Sequence, residues 1–234
     1  MGKRITAAYP IAKAGGIPIN TSIPASKETY DRLGGRDVAF VVLHYTGNVR
    51  DTAEANCKYF AGGDREASAH YFVDEDSIYQ SVPACDRAWA VGSPAPVHPL
   101  CRNTNSISIE MCCSGNYHVS ERTKANAAAL TAELCKLLGI SGVDTYVLRH
   151  YDVTGKLCPK YWVDDPQGIV RFRNMVKERI EMVSKCKMII DGKEIEVERI
   201  LKGGTNYIKI RDIAKALDLD VSNKGNIPIL NHKQ

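Results

Sequence analysis

The chain has 234 residues, 44% of them apolar and 25% charged, a balance that supports a folded core and argues against disorder. Its formal net charge of +4, without a dense Lys/Arg stripe, does not point to nucleic acid. No apolar run reaches the roughly 20 residues of a membrane span, and MGKRITAAYPIAKAGGIPIN at the start lacks the apolar stretch of a signal peptide, so neither membrane insertion nor signal-directed export is expected.

Residues 1–36 are rich in Gly, Pro, Ser and Thr and show no sustained periodicity; they read as an arm with a short helical turn near Ser26–Leu33. Asp37–Tyr45 is apolar on both alternating sets, as a strand covered on both faces would be, and His44 sits at its downstream end. Asp51–Phe60 reads as a short helix, capped by Asp51-Thr52 and stopped by Gly62-Gly63. Ala69–Val73 and Ser77–Val82 form a predicted hairpin around Asp74–Asp76, followed by a proline-rich loop over 84–104. Ser106–Cys113 alternates, with Ile107, Ile109 and Met111 on one face and Ser106, Ser108 and Glu110 on the other.

A helix is predicted over 121–138, with Ser120 as N-cap, Gly139 as stop and an apolar stripe of Leu130, Leu134, Leu137 and Leu138. Thr145–Arg149 reads as a strand ending at His150, followed by a loop carrying Gly155, Lys156, Cys158 and Pro159. Asp165-Pro166 then starts a helix to about Ser184, with Ile169, Phe172, Val176, Ile180 and Val183 facing inward. After Cys186 the composition shifts. Met188–Val197 reads as a hairpin around Asp191-Gly192, Tyr207–Ile210 as a strand, Arg211–Leu219 as a helix and Ile227–Leu230 as a last strand. The division expected is an arm over 1–36, a main α/β domain over 37–185 and a small α+β module over 188–234.

The chemistry gathers at strand ends. The eight cysteines stand at 57, 85, 101, 112, 113, 135, 158 and 186 with no CxxC pair, which argues against a four-cysteine structural site and makes most of them buried thiols. Cys158 is the exception, because it follows His150 by eight residues across a glycine-containing loop. Two imidazoles, His44 and His150, with one thiolate suit zinc and leave one tetrahedral position open, the arrangement of a hydrolytic rather than a structural site. Lys156 is positioned to stabilise an oxyanion, and Glu110 to exchange a proton with water. Taken singly each of these is more often structural; the spacing names no substrate.

Four segments, VVLHYTGN (41–48), SAHYFVDEDSIYQSVP (68–83), NSISIEMC (105–112) and RHYDVTGKLCP (149–159), resemble the type 2 N-acetylmuramoyl-L-alanine amidases, a group that includes phage endolysins and animal peptidoglycan-recognition proteins. The resemblance covers roughly residues 30–180 and is closest to phage and prophage endolysins of Gram-positive hosts. It implies a central mixed β-sheet flanked by helices, with a zinc cleft. It also implies His44, His150 and Cys158 as zinc ligands, Glu110 and Lys156 as catalytic groups, and hydrolysis of the bond between N-acetylmuramic acid and L-alanine in peptidoglycan. His70 stands where some relatives carry a catalytic tyrosine, with Tyr71 one step on. His70, Tyr71, Trp89 and Thr46 are candidate substrate contacts. The segment NYIKIRDIAKALDLDV (206–221) resembles a small module of Firmicute wall proteins, implying wall-polymer binding or self-association. With no signal peptide, the resemblance implies synthesis in a host bacterial cytoplasm and action on the wall after release. A non-catalytic peptidoglycan sensor and a zinc peptidase acting on the stem peptide are the alternatives.

Overall fold

The computed structural model describes residues 2–181, 184–202, 205–225 and 227–233. They form two compact units, Met1–Arg179 and Ile180–Gln234. The first holds, in chain order, β1 (Lys3–Ile5), β2 (Lys13–Ala14), β3 (Ile17–Asn20), β4 (Tyr30–Asp31), β5 (Arg36–Val38), β6 (Phe40–Tyr45), α1 (Ala53–Ala61), β7 (Tyr71–Val73), β8 (Ile78–Gln80), β9 (Arg87–Ala88), β10 (Ser106–Met111), α2 (Glu121–Leu138), α3 (Val143–Tyr146), β11 (Val147–Arg149), α4 (His150–Thr154), α5 (Lys160–Asp164) and α6 (Gln167–Ile180).

The central sheet has the order β11-β6-β10-β7-β8-β3-β2. β11, β6, β10 and β7 run parallel, β8 is antiparallel to β7, β3 is parallel to β8 and β2 antiparallel to β3. This is the mixed sheet with flanking helices that the resemblance implies, built from the strands and helices the sequence pattern predicts. Phe40, Val41, Val42 and Leu43 are all buried, because β6 lies between two parallel neighbours with both faces covered. Ile107, Ile109 and Met111 of β10 are buried as expected, but so are Ser106 and Ser108 on its polar face. Ser106 Oγ donates to the Arg102 carbonyl at 2.8 Å and Ser108 Oγ meets His70, so these small hydroxyls are buried with partners.

Helix ends follow their caps. The Ser120 side chain accepts the Thr123 amide at the start of α2, and Gly139 stops it in a left-handed conformation, φ 68°. For α1 the cap is Thr52, whose hydroxyl accepts the Ala55 amide; Asp51 is turned elsewhere. Near Ser26–Leu33 the chain makes one turn, closed by the Thr29 amide on the Ser26 carbonyl at 3.1 Å, and then enters the strand β4, paired with β9, a partner distant in sequence that local propensity does not announce. The strand expected from Thr145 begins at Val147, after the helical turn α3, and His150 opens α4 rather than a loop. α6 buries Ile169, Phe172 and Val176, leaves Ile180 half-buried and ends at Ile180 rather than near Ser184. Val183 lies outside the described residues.

The second unit contains β12 (Ser184–Ile190), β13 (Lys193–Lys202), β14 (Thr205–Ile208), α7 (Ile210–Ala216), β15 (Leu219–Lys224) and β16 (Ile227–His232). β12, β13 and β14 form an antiparallel sheet and β15 pairs with β16. Asp191 and Gly192 both have positive φ, 48° and 76°, as a two-residue hairpin of this twist requires. β15 lies outside the expected elements, because LDVSNK carries little apolar signal.

Candidate metal centre

Register builds the site. Glu110 on β10 pairs with His44 on β6, and Arg149 on β11 pairs with Leu43. His150 is therefore the next position along, and His150, His44 and Glu110 stand abreast at the carboxyl ends of three adjacent strands. In open α/β sheets this is the edge where ligands bind. Cys158 is brought to the same edge by the turn after α4, where Gly155 adopts φ 80° and the Tyr151 amide donates to the Cys158 carbonyl at 2.9 Å.

One donor atom each from His44, His150 and Cys158 lies within 4.8 Å of the others. Cys158 Sγ is 4.0 Å from His44 Nδ1, and the two imidazole rings are 4.6 Å apart. All three residues are buried. His44 Nε2 and His150 Nδ1 are buried without a hydrogen-bond partner, whereas buried polar atoms are ordinarily bonded. Zinc binds nitrogen and sulfur at about 2.0–2.3 Å, so this spacing is one that a single ion can bridge with little side-chain movement. Two nitrogens and one sulfur, with orphaned lone pairs, fit zinc.

The protonation states agree with that fit. Burial, with His150 and Lys156 adding, holds His44 well below the usual imidazole range. Burial and Lys156 bring His150 down to about 4. Both rings are neutral at pH 7 and keep a lone pair free. Burial, with Glu110 adding, pushes the Cys158 thiol up to about 12, and a divalent cation is what would reverse that.

Glu110 Oε1 lies 3.7 Å from His44 Nδ1, while Oε2 is buried without a partner. Burial raises its carboxyl to about 8, Asp51 adding to the rise and Lys156 opposing it. Lys156 is itself exposed, yet its charge acts on His44, Glu110, His150 and Cys158 alike. All five residues thus share one electrostatic environment.

Residues 34–161 match the model of the N-acetylmuramoyl-L-alanine amidase family. The chain belongs to that family. The matched span contains His44, Glu110, His150, Lys156 and Cys158. The chain is similar to N-acetylmuramoyl-L-alanine amidase CwlL of Bacillus licheniformis, 32% identical over 188 residues, or 76% of this chain and 52% of that protein. It is also similar to N-acetylmuramoyl-L-alanine amidase BlyA of Bacillus subtilis (strain 168), 33% identical over 180 residues, or 72% of this chain and 49% of that protein. The chain spans about half the length of these curated relatives. Among solved structures the catalytic domain of XlyA matches with a TM-score of 0.57 at 25% identity, covering 68% of this chain and 99% of that one.

The remaining candidates in this amidase-family chain are distributed differently. His70 is 1% exposed. Its Nδ1 meets Ser108 Oγ at 3.0 Å and the Ser108 amide at 3.1 Å, and its Nε2 lies 2.8 Å from Arg36 Nη2 and 3.2 Å from the Asp86 carbonyl. Both ring nitrogens are engaged, which leaves no open nitrogen for a substrate. Tyr71 is wholly buried and pairs with Ile109, so by strand alternation it points to the face opposite His44 and Glu110. Trp89 is half-buried and donates from Nε1 to Asp31 at 2.6 Å, an anchor for β4. Thr46 Oγ1 donates to Asp51 at 3.1 Å. The sequence reading missed the support of His150: Asp152 accepts the Arg149 amide at 2.9 Å and its guanidinium at 2.6 Å, while Arg149 Nη1 donates to the Trp162 carbonyl at 2.7 Å. The signal was the Arg and Asp flanking His150, three residues apart. Among the described residues, no helix is long and apolar enough to cross a membrane.

Proposed function

We propose that this chain cleaves the amide bond between N-acetylmuramic acid and L-alanine in peptidoglycan, as a wall-lysing endolysin. The observation that carries the reading is the buried His44–His150–Cys158 cluster, with two orphaned imidazole nitrogens, beside the half-free carboxylate of Glu110. Zinc held by those three residues would supply a Lewis acid and bring the pKa of water from about 16 toward 7.

The residues around it divide the remaining work. His44 and His150, kept neutral by burial, present nitrogen lone pairs rather than N–H groups to a cation. Glu110 takes a proton from the attacking water and returns it to the amide nitrogen as the C–N bond breaks. Burial raises this carboxyl to about 8 without metal, a divalent cation beside it would draw that value down, and a carboxyl held between these opposing effects is suited to both transfers. The Lys156 ammonium steadies the negative charge that develops on the carbonyl oxygen. The products are a lactyl carboxylate on the glycan and a free amine on L-alanine.

For the C-terminal unit the reading is wall-polymer binding or self-association. It is supported by large apolar side chains left exposed there, Ile189 at 72% and Ile227 at 67% among them. Action on the wall after release from the cell that makes it is part of the same proposal.

Mass spectrometry of digested, purified peptidoglycan tests the bond. Intact stem peptides freed from glycan, each with a new L-alanine amine, are the expected products. Cuts within the stem peptide would instead identify a peptidase.

A further inference from the structure

His44 and Glu110 are register partners, and the paired register ends one residue beyond them, at Tyr45 and Met111. The carboxylate of Asp51 joins the two segments that follow these strand ends. Its Oδ1 accepts the Cys113 amide at 2.6 Å and the Thr46 hydroxyl at 3.1 Å. Its Oδ2 accepts Asn48 Nδ2 at 2.9 Å and Asn56 Nδ2 at 2.7 Å. The Asp51 amide in turn donates to the Cys113 carbonyl at 2.9 Å, and the Thr46 amide to the Met111 carbonyl at 3.1 Å.

The two donors to Oδ1 come one from each segment. Thr46 follows β6 and His44; Cys113 follows β10 and Glu110. The two donors to Oδ2 close the 46–51 loop on itself and tie it to α1. A residue expected to cap α1 is released from that task by Thr52, and its four acceptor contacts join the segments behind the two groups that must act together. A site is only as well placed as the residues that lock it.

We infer that Asp51 is a positioning residue that sets Glu110 against His44 for the proton transfer. The inference rests on the reading of Glu110 as the proton-transferring group. Asp51→Asn keeps the shape of the side chain, but its amide nitrogen then faces the amide nitrogens of Asn48 and Asn56, or the donors on the other side.

The test is a double-mutant cycle of Asp51→Asn and Glu110→Gln in the full zinc-loaded chain, with kcat and KM measured on a soluble muropeptide. Asn126→Ala, which removes bonds to the Asp74 and Glu75 carbonyls, serves as a control for general loosening. The expected result is a fall in kcat of about tenfold to a hundredfold for Asp51→Asn, with KM within about twofold and zinc content unchanged. In the Glu110→Gln background the same substitution lowers kcat by less than about twofold. Amide exchange gives an independent reading: the Cys113 amide loses protection in Asp51→Asn and keeps it in Asn126→Ala. An equal fall in both backgrounds, unchanged kcat, or an equal fall in Asn126→Ala overturns the role of Asp51. Full activity in Glu110→Gln alone overturns the reading of Glu110 and this inference together.

Discussion

His44 and His70 occupy two corners of one sheet face. Both are buried, 2% and 1% exposed, and both are held well below the usual imidazole range by burial. The corners differ in what surrounds the rings. His70 has partners on both nitrogens, from Ser108, Arg36 and the Asp86 carbonyl. His44 has only a thiol at 4.0 Å and a carboxylate at 3.7 Å near Nδ1, and nothing on Nε2. A buried histidine with all its bonds made holds a structure together. One with a lone pair left over, beside a thiol and a second such histidine, is prepared for a ligand.

The largest effects are expected at the His44 corner. Cys158→Ser or His44→Ala should leave below about 0.1% of the lytic activity, because one ion cannot be held rigidly by the two remaining donors. Circular dichroism of the metal-free protein should hardly change. Glu110→Gln should keep zinc, read by elemental analysis, and lose about 10²–10⁴-fold in kcat. Lys156→Ala should cost on the order of 10²-fold in kcat, with zinc affinity nearly intact.

At the other corner, His70→Ala should behave in the opposite sense. Leaving Ser108 and Arg36 without their partner should cost about 2–4 kcal/mol in urea unfolding. The folded fraction should retain activity within about twofold. A loss of kcat comparable to that of Glu110→Gln would return His70 to the catalytic centre.

The smallest effect is in pH. The folded pKa of His70 lies below its unfolded value near 6.5, so the unfolded chain binds the extra proton first as pH falls. Stability attached to His70 is therefore complete above about pH 6.5 and is lost as pH drops toward the folded pKa, by at most about 1.4 kcal/mol per pH unit. Urea unfolding of metal-free protein at several pH values should show a shallower slope for His70→Gln than for the parent chain.

The residues that could be read from sequence are those whose role is written in local pattern. β6 and β10 announce themselves by apolar runs and alternation, and their ends carry His44 and Glu110. The His150–Cys158 spacing was readable because the glycine turn between them is local. Residues whose role depends on distant partners were not readable. Tyr71 looked like a neighbour of the site until strand pairing put it on the far face. His70 is engaged by Arg36, a residue 34 positions away, and Asp51 by Cys113, 62 positions away. β4 likewise exists only because β9 pairs with it.

The most direct measurement is release of L-alanine amine from purified peptidoglycan by protein stripped of metal and then given one equivalent of zinc. No release is expected from the stripped chain, recovery is expected with zinc, and none in Cys158→Ser. Full release by chain shown to be free of metal would contradict zinc-dependent cleavage.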